Sequence, residues 1–233
     1  VFSLFSGDEK PVRIFMIGDS TMANKKEEAA PETGWGQVFH SFFDGSVAIS
    51  NHAKNGRSSR SFIDEGLWQV VLDSLKKGDY VFIQFGHNDA KPDAARHTDP
   101  NTSYRKNLIK FIEESRRKGA IPILCTSIVR RKFDEKGKLV DTHGDYPDVV
   151  RAVAKEKNVP LLDLQRKTAA MVSDEGLEKS KSIFLYTEPG EYANRPDGVK
   201  DDTHLSPEGA RRVAELAVES IREQGIDLVK FLK

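Results

Sequence analysis

Val12-Arg13-Ile14-Phe15-Met16-Ile17-Gly18-Asp19-Ser20-Thr21-Met22 is an apolar run that stops at a glycine and presents a serine two residues later. Residues 14–17 have the length and composition of a strand buried on both faces, as in a parallel sheet, and Gly18 permits a sharp turn out of it. Open α/β sheets bind ligands beyond the carboxyl ends of their strands, which is where Ser20 stands.

Short apolar runs alternate with amphipathic stretches along the rest of the chain, the pattern of βαβ units whose sheet is covered by helices. Strands are expected over 12–17, 46–51, 80–85, 121–127 and 159–163, and helices over 34–43, 61–75, 102–118, 148–158, 165–178 and 207–224. Phe62, Leu67, Val70, Val71 and Leu75 recur at helical spacing, and Ser206-Pro207 opens the last helix with an N-cap and a first-turn proline. These elements predict one domain over 1–233, a three-layer α/β/α sandwich. Its parallel sheet should have about five strands in flavodoxin-like order. Three long stretches, 23–33, 89–100 and 180–202, read as irregular, and segments of that length are usually functional or mobile.

Lysine plus arginine and aspartate plus glutamate both number 36, so the formal charge is zero and no global basic field exists to hold nucleic acid. The one cysteine, Cys125, lies in an apolar run and reads as a small buried hydrophobe. No apolar run approaches the roughly 18 residues of a membrane span, and no membrane partner is expected. The opening Val-Phe-Ser-Leu-Phe-Ser-Gly (1–7) reads as the end of a removed export signal or as a frayed terminus, the former implying a periplasmic or extracellular location.

Four short segments fall at strand ends or in the last loop and should share one rim. They are Gly18-Asp19-Ser20-Thr21, Asn55-Gly56-Arg57, Gly86-His87-Asn88-Asp89 and Asp201-Asp202-Thr203-His204. Acyl transfer by serine needs a nucleophile, a base within hydrogen-bond reach, a group fixing the base's tautomer, and donors for the developing oxyanion. Ser20, His204 and Asp201 fill the first three places, with the Gly56 N–H and the Asn88 amide as donors. The spacing of Asp201 and His204 lets the carboxylate turn back to Nδ1 while Nε2 faces the serine, provided the loop turns tightly; Asp202 stands as the alternative partner. Met22 occupies the place of the second glycine in the G-x-S-x-G elbow, which argues against an ordinary α/β-hydrolase.

In this order the four segments resemble the four blocks of the SGNH (GDSL-type) hydrolases, and the resemblance runs from Ile14 to His204. It implies an esterase with Ser20 as nucleophile, His204 as base and Asp201 as its orienter, needing no cofactor. It also implies an oxyanion hole made by the Ser20 N–H, the Gly56 N–H and the Asn88 side chain. Within the superfamily the chain is most similar to the rhamnogalacturonan acetylesterases, which share Gly-Asp-Ser-Thr and a segment like Asp141-Thr142-His143-Gly144-Asp145-Tyr146-Pro147. That resemblance implies removal of acetyl groups from pectic polysaccharide, an acetylated polysaccharide or oligosaccharide being the partner. Related members deacetylate xylan or small esters.

Each residue also has a plainer reading. Ser20 is a common turn residue, Gly56 a turn glycine, Asn88-Asp89 an Asx turn and His204 a surface histidine ahead of a cap; their coincidence selects the sharper reading. Arg57 and Arg60 are candidates to meet a uronate carboxylate, against ordinary salt bridges. Trp35 is a candidate to stack on a sugar, against a packing role, and His87 a candidate substrate contact, against a structural one. Lys25-Lys26 and Arg130-Arg131-Lys132 read as solvated faces. His40, His52, His97 and His143 show no metal spacing, and no nucleotide-binding glycine motif occurs, so neither metal nor cofactor is expected. Two rivals remain: a lipase, lysophospholipase or thioesterase of the same superfamily, requiring a wide apolar groove, and a non-catalytic carbohydrate-binding domain that keeps the fold.

Overall fold

The side chains of β1 (Val12–Gly18) divide by parity between two cores. Ile14 and Met16 enter one, with Trp35, Phe39, Val172, Val213 and Ala217; Phe15 and Ile17 enter the other, with Phe62, Trp68, Phe111, Val149 and Val153. An unbroken apolar run is therefore what a strand between two helix layers requires. The computed structural model describes residues 11–233, and segment 1–7, read as an export-signal remnant, lies outside them.

After β1 the chain forms α1 (Trp35–Val38) with a 3₁₀ extension over Phe39–Phe42, β2 (Val47–Asn51), α2 (Ser59–Asp64), α3 (Leu67–Ser74) and β3 (Tyr80–Gln84). A π turn at Pro100–Tyr104 leads into α4 (Arg105–Arg117), followed by β4 (Ile121–Cys125), α5 (Tyr146–Lys157), β5 (Leu161–Leu162) and α6 (Leu164–Lys179). A hairpin of β6 (Phe184–Thr187) and β7 (Val199–Leu205) precedes the final long helix, α7 (Pro207–Glu223). The parallel sheet has five strands in the order β2-β1-β3-β4-β5. This is the flavodoxin-like order, and its reversal beside β1 opens a crevice at the strands' carboxyl ends.

Three expectations are corrected. The helix over 61–75 is two helices, because Gly66 takes a left-handed φ of +73° between them, and Val70 is 57% exposed rather than part of an apolar stripe. The stretch 180–202 is not irregular throughout: it holds β6 and most of β7, which pair antiparallel outside the main sheet. The charged composition of Val199–Leu205 conceals a strand whose stability comes from its pairing rather than from burial of both faces. Gly18 remains in extended strand; a Cβ there would stand 2.7 Å from the Gln84 carbonyl oxygen, so close approach of β1 and β3 rather than the turn requires the glycine.

Candidate active site

The turn after β1 is closed by Asp19, whose carbonyl accepts the N–H of Met22 and of Ala23 at 3.2 and 3.1 Å. Its wholly buried carboxylate accepts the N–H and hydroxyl of Thr21 at 2.9 and 2.8 Å through one oxygen. Burial pushes this carboxyl above the usual range, against those hydrogen bonds. Ser20 sits at the crown of the turn and is 9% exposed. Trp35 Nε1–H donates to Gln84 Oε1 at 2.9 Å, and the Trp35 N–H to the Thr21 carbonyl, so α1 and β3 both brace the turn.

His204 reaches Ser20 from the hairpin. Opposite β6, Phe184 pairs with Leu205 and Leu185 with Asp201, so Asp202, Thr203 and His204 bulge out of β7. The bulge supplies the tight turn that the Asp201–His204 spacing needs. One Asp201 oxygen accepts the N–H groups of Thr203 and His204 at 2.7 and 3.0 Å, and the other lies 2.7 Å from His204 Nδ1. His204 Nε2 is 3.0 Å from Ser20 Oγ. With Nδ1–H donated to the carboxylate, Nε2 is left to accept the serine proton, a tautomer assigned from the network.

Burial alone would raise the Asp201 pKa, but the bonds from the His204 ring and from the backbone of His204 and Thr203 outweigh it, and the carboxyl is held well below its usual range. The His204 pKa is raised above its ordinary 6.5, first by its hydrogen bond to Asp201 and against burial.

Asp202 is engaged elsewhere. Its carboxylate accepts Arg131 Nη1–H at 2.9 Å and the Tyr186 hydroxyl at 2.6 Å, and its carbonyl accepts the Arg131 N–H at 2.8 Å. Arg131, read as part of a solvated face, has a side chain only 7% exposed, and it also donates to Ser180 Oγ and the Leu177 carbonyl. It fastens the hairpin to the body of the fold. Arg131→Ala is expected to cost about 1–3 kcal/mol of stability, since the buried Ser180 hydroxyl, the Leu177 carbonyl and the half-exposed Asp202 carboxylate lose their donor. Urea unfolding checks this; a midpoint equal to the parent's contradicts the role.

The other two segments meet the Ser20 turn directly. The Lys54 N–H donates to the Gly18 carbonyl at 3.0 Å, seating the turn that carries Gly56, whose φ is +74°. Asn88 Nδ2–H donates to the Arg57 carbonyl at 3.1 Å, one residue beyond Gly56. Asp89, next in the chain, accepts the Ser59 N–H and hydroxyl at the start of α2 and the Thr98 hydroxyl, with burial raising its pKa to about 6. All four sequence segments thus converge on one rim.

The candidate substrate contacts fare differently. Trp35 is 0% exposed and packs on Phe39, so it offers no face to a sugar. Arg57 pairs with Glu65 at 2.8 Å and Arg60 with Asp64 at 3.3 Å, the ordinary salt bridges of their plainer reading. His87 is 3% exposed, and its Nδ1 lies 3.1 Å from Nε2 of His143 in the Asp141–Pro147 segment. Burial, with the nearby Arg130 charge, drives His87 well below its normal range, and burial with His87 itself lowers His143 to about 2. One ring then donates to the other in a single hydrogen bond, both shifts favouring neutral imidazoles. Lys25, read as solvated, has a side chain 2% exposed. No local pattern announced its burial, which depends on loops distant in sequence.

Among the described residues no group of three or more His, Cys, Asp or Glu side chains is placed to hold a metal ion, and no helix is long and apolar enough to cross a membrane.

A sandwich of this strand order with hydrogen-bonded serine, histidine and aspartate side chains at its carboxyl edge has the architecture of an α/β ester hydrolase. The model of the GDSL-like lipase/acylhydrolase family matches residues 16–212, and the chain belongs to that family of carboxylic ester hydrolases. Rhamnogalacturonan acetylesterase RhgT of Bacillus subtilis is 44% identical over 96% of this chain and 95% of its own length. Rhamnogalacturonan acetylesterase of Emericella nidulans is 47% identical over 92% of this chain and 86% of its own. The crystal structure of protein YxiM of Bacillus subtilis superposes with a TM-score of 0.80 at 27% identity, covering 93% of this chain and 58% of that one.

Proposed function

We propose that this ester hydrolase removes acetyl groups from rhamnogalacturonan, with Ser20 as nucleophile, His204 as general base and acid, and Asp201 as the group that orients and charges the imidazole. The near-full-length match to RhgT carries the choice of substrate; the Ser20–His204–Asp201 hydrogen-bond chain supports the chemistry.

In the first half-reaction Ser20 Oγ bonds to the acetyl carbonyl carbon as its proton passes to His204 Nε2. The carbonyl oxygen becomes an oxyanion facing the N–H groups of Ser20 and Gly56 and the Asn88 amide. Collapse breaks the bond to the sugar oxygen, which leaves with the proton from His204, and the acetyl group remains on Ser20. Water then gives its proton to His204, adds to the acetyl carbon, and the second collapse releases acetate and restores Ser20. Asp201 stays ionised throughout, which its low pKa supports.

Acetate release from acetylated rhamnogalacturonan, homogalacturonan, xylan and p-nitrophenyl esters tests the substrate. The expected result is the highest kcat/KM on rhamnogalacturonan and loss of rate as the acyl chain lengthens past acetyl. Preference for xylan, or for long acyl chains, overturns it. A polymer does not cross membranes, so we place the enzyme in the periplasm or outside the cell; activity confined to the cytoplasmic fraction overturns that and points to imported oligosaccharides.

His204 must be neutral to accept the proton, and its pKa is raised, so activity is full above that value and falls as pH drops through it. The acid limb of kcat/KM is expected above pH 6.5, the ordinary histidine value. A profile flat from neutral pH down to 5, about 1.5 units below the usual histidine pKa, contradicts a histidine base.

A further inference from the structure

Lys25 holds the most unusual position of any cation near the site. It lies five residues after Ser20, yet its ammonium points back and donates to the Ser20 carbonyl at 2.5 Å and to Asn55 Oδ1 at 2.8 Å. Its third acceptor is Glu32 Oε1 at 2.8 Å, so all three N–H donors are used. The side chains of Lys25 and Glu32 are 2% and 14% exposed, so this is a buried pair rather than a surface one. The loop that carries both is itself anchored: the Lys25 N–H donates to Gln37 Oε1, and Arg195 donates to the carbonyls of Ala29 and Ala30.

The two groups that Lys25 joins are each next to a proposed oxyanion donor. Ser20 contributes its own N–H, and Asn55 precedes Gly56. No backbone hydrogen bond is recorded between these two turns beyond the Lys54 N–H on the Gly18 carbonyl.

We propose that Lys25, neutralised by Glu32, is a positioning residue for acyl transfer: it ties the Ser20 turn to the Asn55-Gly56 turn and so fixes the spacing of the two backbone N–H groups that receive the oxyanion. This rests on the reading of Ser20 and Gly56 given above. An ammonium suits the task because its donors diverge toward three separate acceptors, whereas the planar guanidinium fork is built for two parallel bonds to one group. The contribution is geometric and appears in the transition state, so it falls on kcat more than on KM.

The same pair leaves an electrostatic signature. His204 is faced by Asp201 from its own strand, by Glu32 and Lys25 from the loop after the Ser20 turn, and by His87 from the segment after β3. The Glu32 charge raises its pKa and the Lys25 charge lowers it. Removing Lys25 alone therefore moves the acid limb to higher pH, and removing Glu32 alone moves it lower.

The experiment measures kcat, KM and the pH profile of the full chain on p-nitrophenyl acetate for Lys25→Met, Lys25→Arg, Glu32→Gln and the double variant Lys25→Met/Glu32→Gln, with thermal melting as control. The double variant removes both charges of the Lys25–Glu32 pair, leaving only Arg195, which faces Glu32 at 3.7 Å and keeps its bonds to the Ala29 and Ala30 carbonyls, without its carboxylate, and is the one expected to fold most like the parent. Its kcat is expected to fall about 10- to 100-fold, with KM changed by less than about twofold, as for a displaced oxyanion donor. Its acid limb should stay near the parent's. Lys25→Arg should keep the limb but not the rate, and Lys25→Met should shift the limb upward. A folded double variant with parental kcat overturns the clamp. Ser20→Ala, assayed beside it, separates the two ideas: if it is inactive while the double variant is not, only the clamp fails, and if it turns over at the parental rate the underlying mechanism fails.

Discussion

Ser20→Ala is expected to lower kcat on p-nitrophenyl acetate by about 10⁴-fold or more, because loss of a nucleophile leaves only the residual contributions of binding and oxyanion stabilisation. The protein should stay folded. Ser20 Oγ has one recorded side-chain partner, His204 Nε2 at 3.0 Å, and the turn beneath it is held by the Asp19 carbonyl and carboxylate instead. The stability change should therefore lie within about 1 kcal/mol, the worth of a typical hydrogen bond. Steady-state kinetics and a thermal melt on the same preparation check both halves. A folded variant at the parental rate eliminates Ser20 as nucleophile.

Asp201→Asn is the second large effect, expected at about 10⁴-fold in kcat. The amide still accepts the Thr203 and His204 N–H groups through its oxygen, so the bulge is preserved. Its nitrogen, however, faces His204 Nδ1 with a donor. The imidazole must then accept at Nδ1 and carry its proton on Nε2, where it faces Ser20 with a donor and cannot take the serine proton. Loss of the carboxylate also lowers the His204 pKa, moving the acid limb down while the rate collapses. Asp202→Asn is the matched control: its carboxylate serves Arg131 and Tyr186, so the variant should lose stability more than turnover. The reverse ranking of these two variants would reassign the orienting carboxylate.

Much of this arrangement was legible in the chain. The apolar run of β1, the order of the four segments and the Asp201–His204 spacing are local patterns, and each survives folding because strand parity and chain connectivity act over a few residues. What was misread has a common cause. Lys25 lies in the loop after Ser20, where its charge suggests exposure, and its side chain is buried; Trp35, open to either sugar stacking or packing, is core. Arg131 looked like one of three solvated cations until the hairpin closed over it. The hairpin itself was hidden because Lys200 and Asp201 carry the charges of a loop while their backbone pairs with Tyr186 and Leu185.

The sequence by itself determined the three-layer fold, the strand from which Ser20 emerges and the residue types that gather around it, because hydrophobic periodicity and motif order are properties of neighbours along the chain. Only the tertiary structure decided that Asp201 rather than Asp202 faces His204, that Trp35 is core, and that Lys25 bridges the Ser20 turn to Asn55. Those outcomes depend on which distant loops meet, and on the cost of burying a polar group unless a partner from another loop satisfies it.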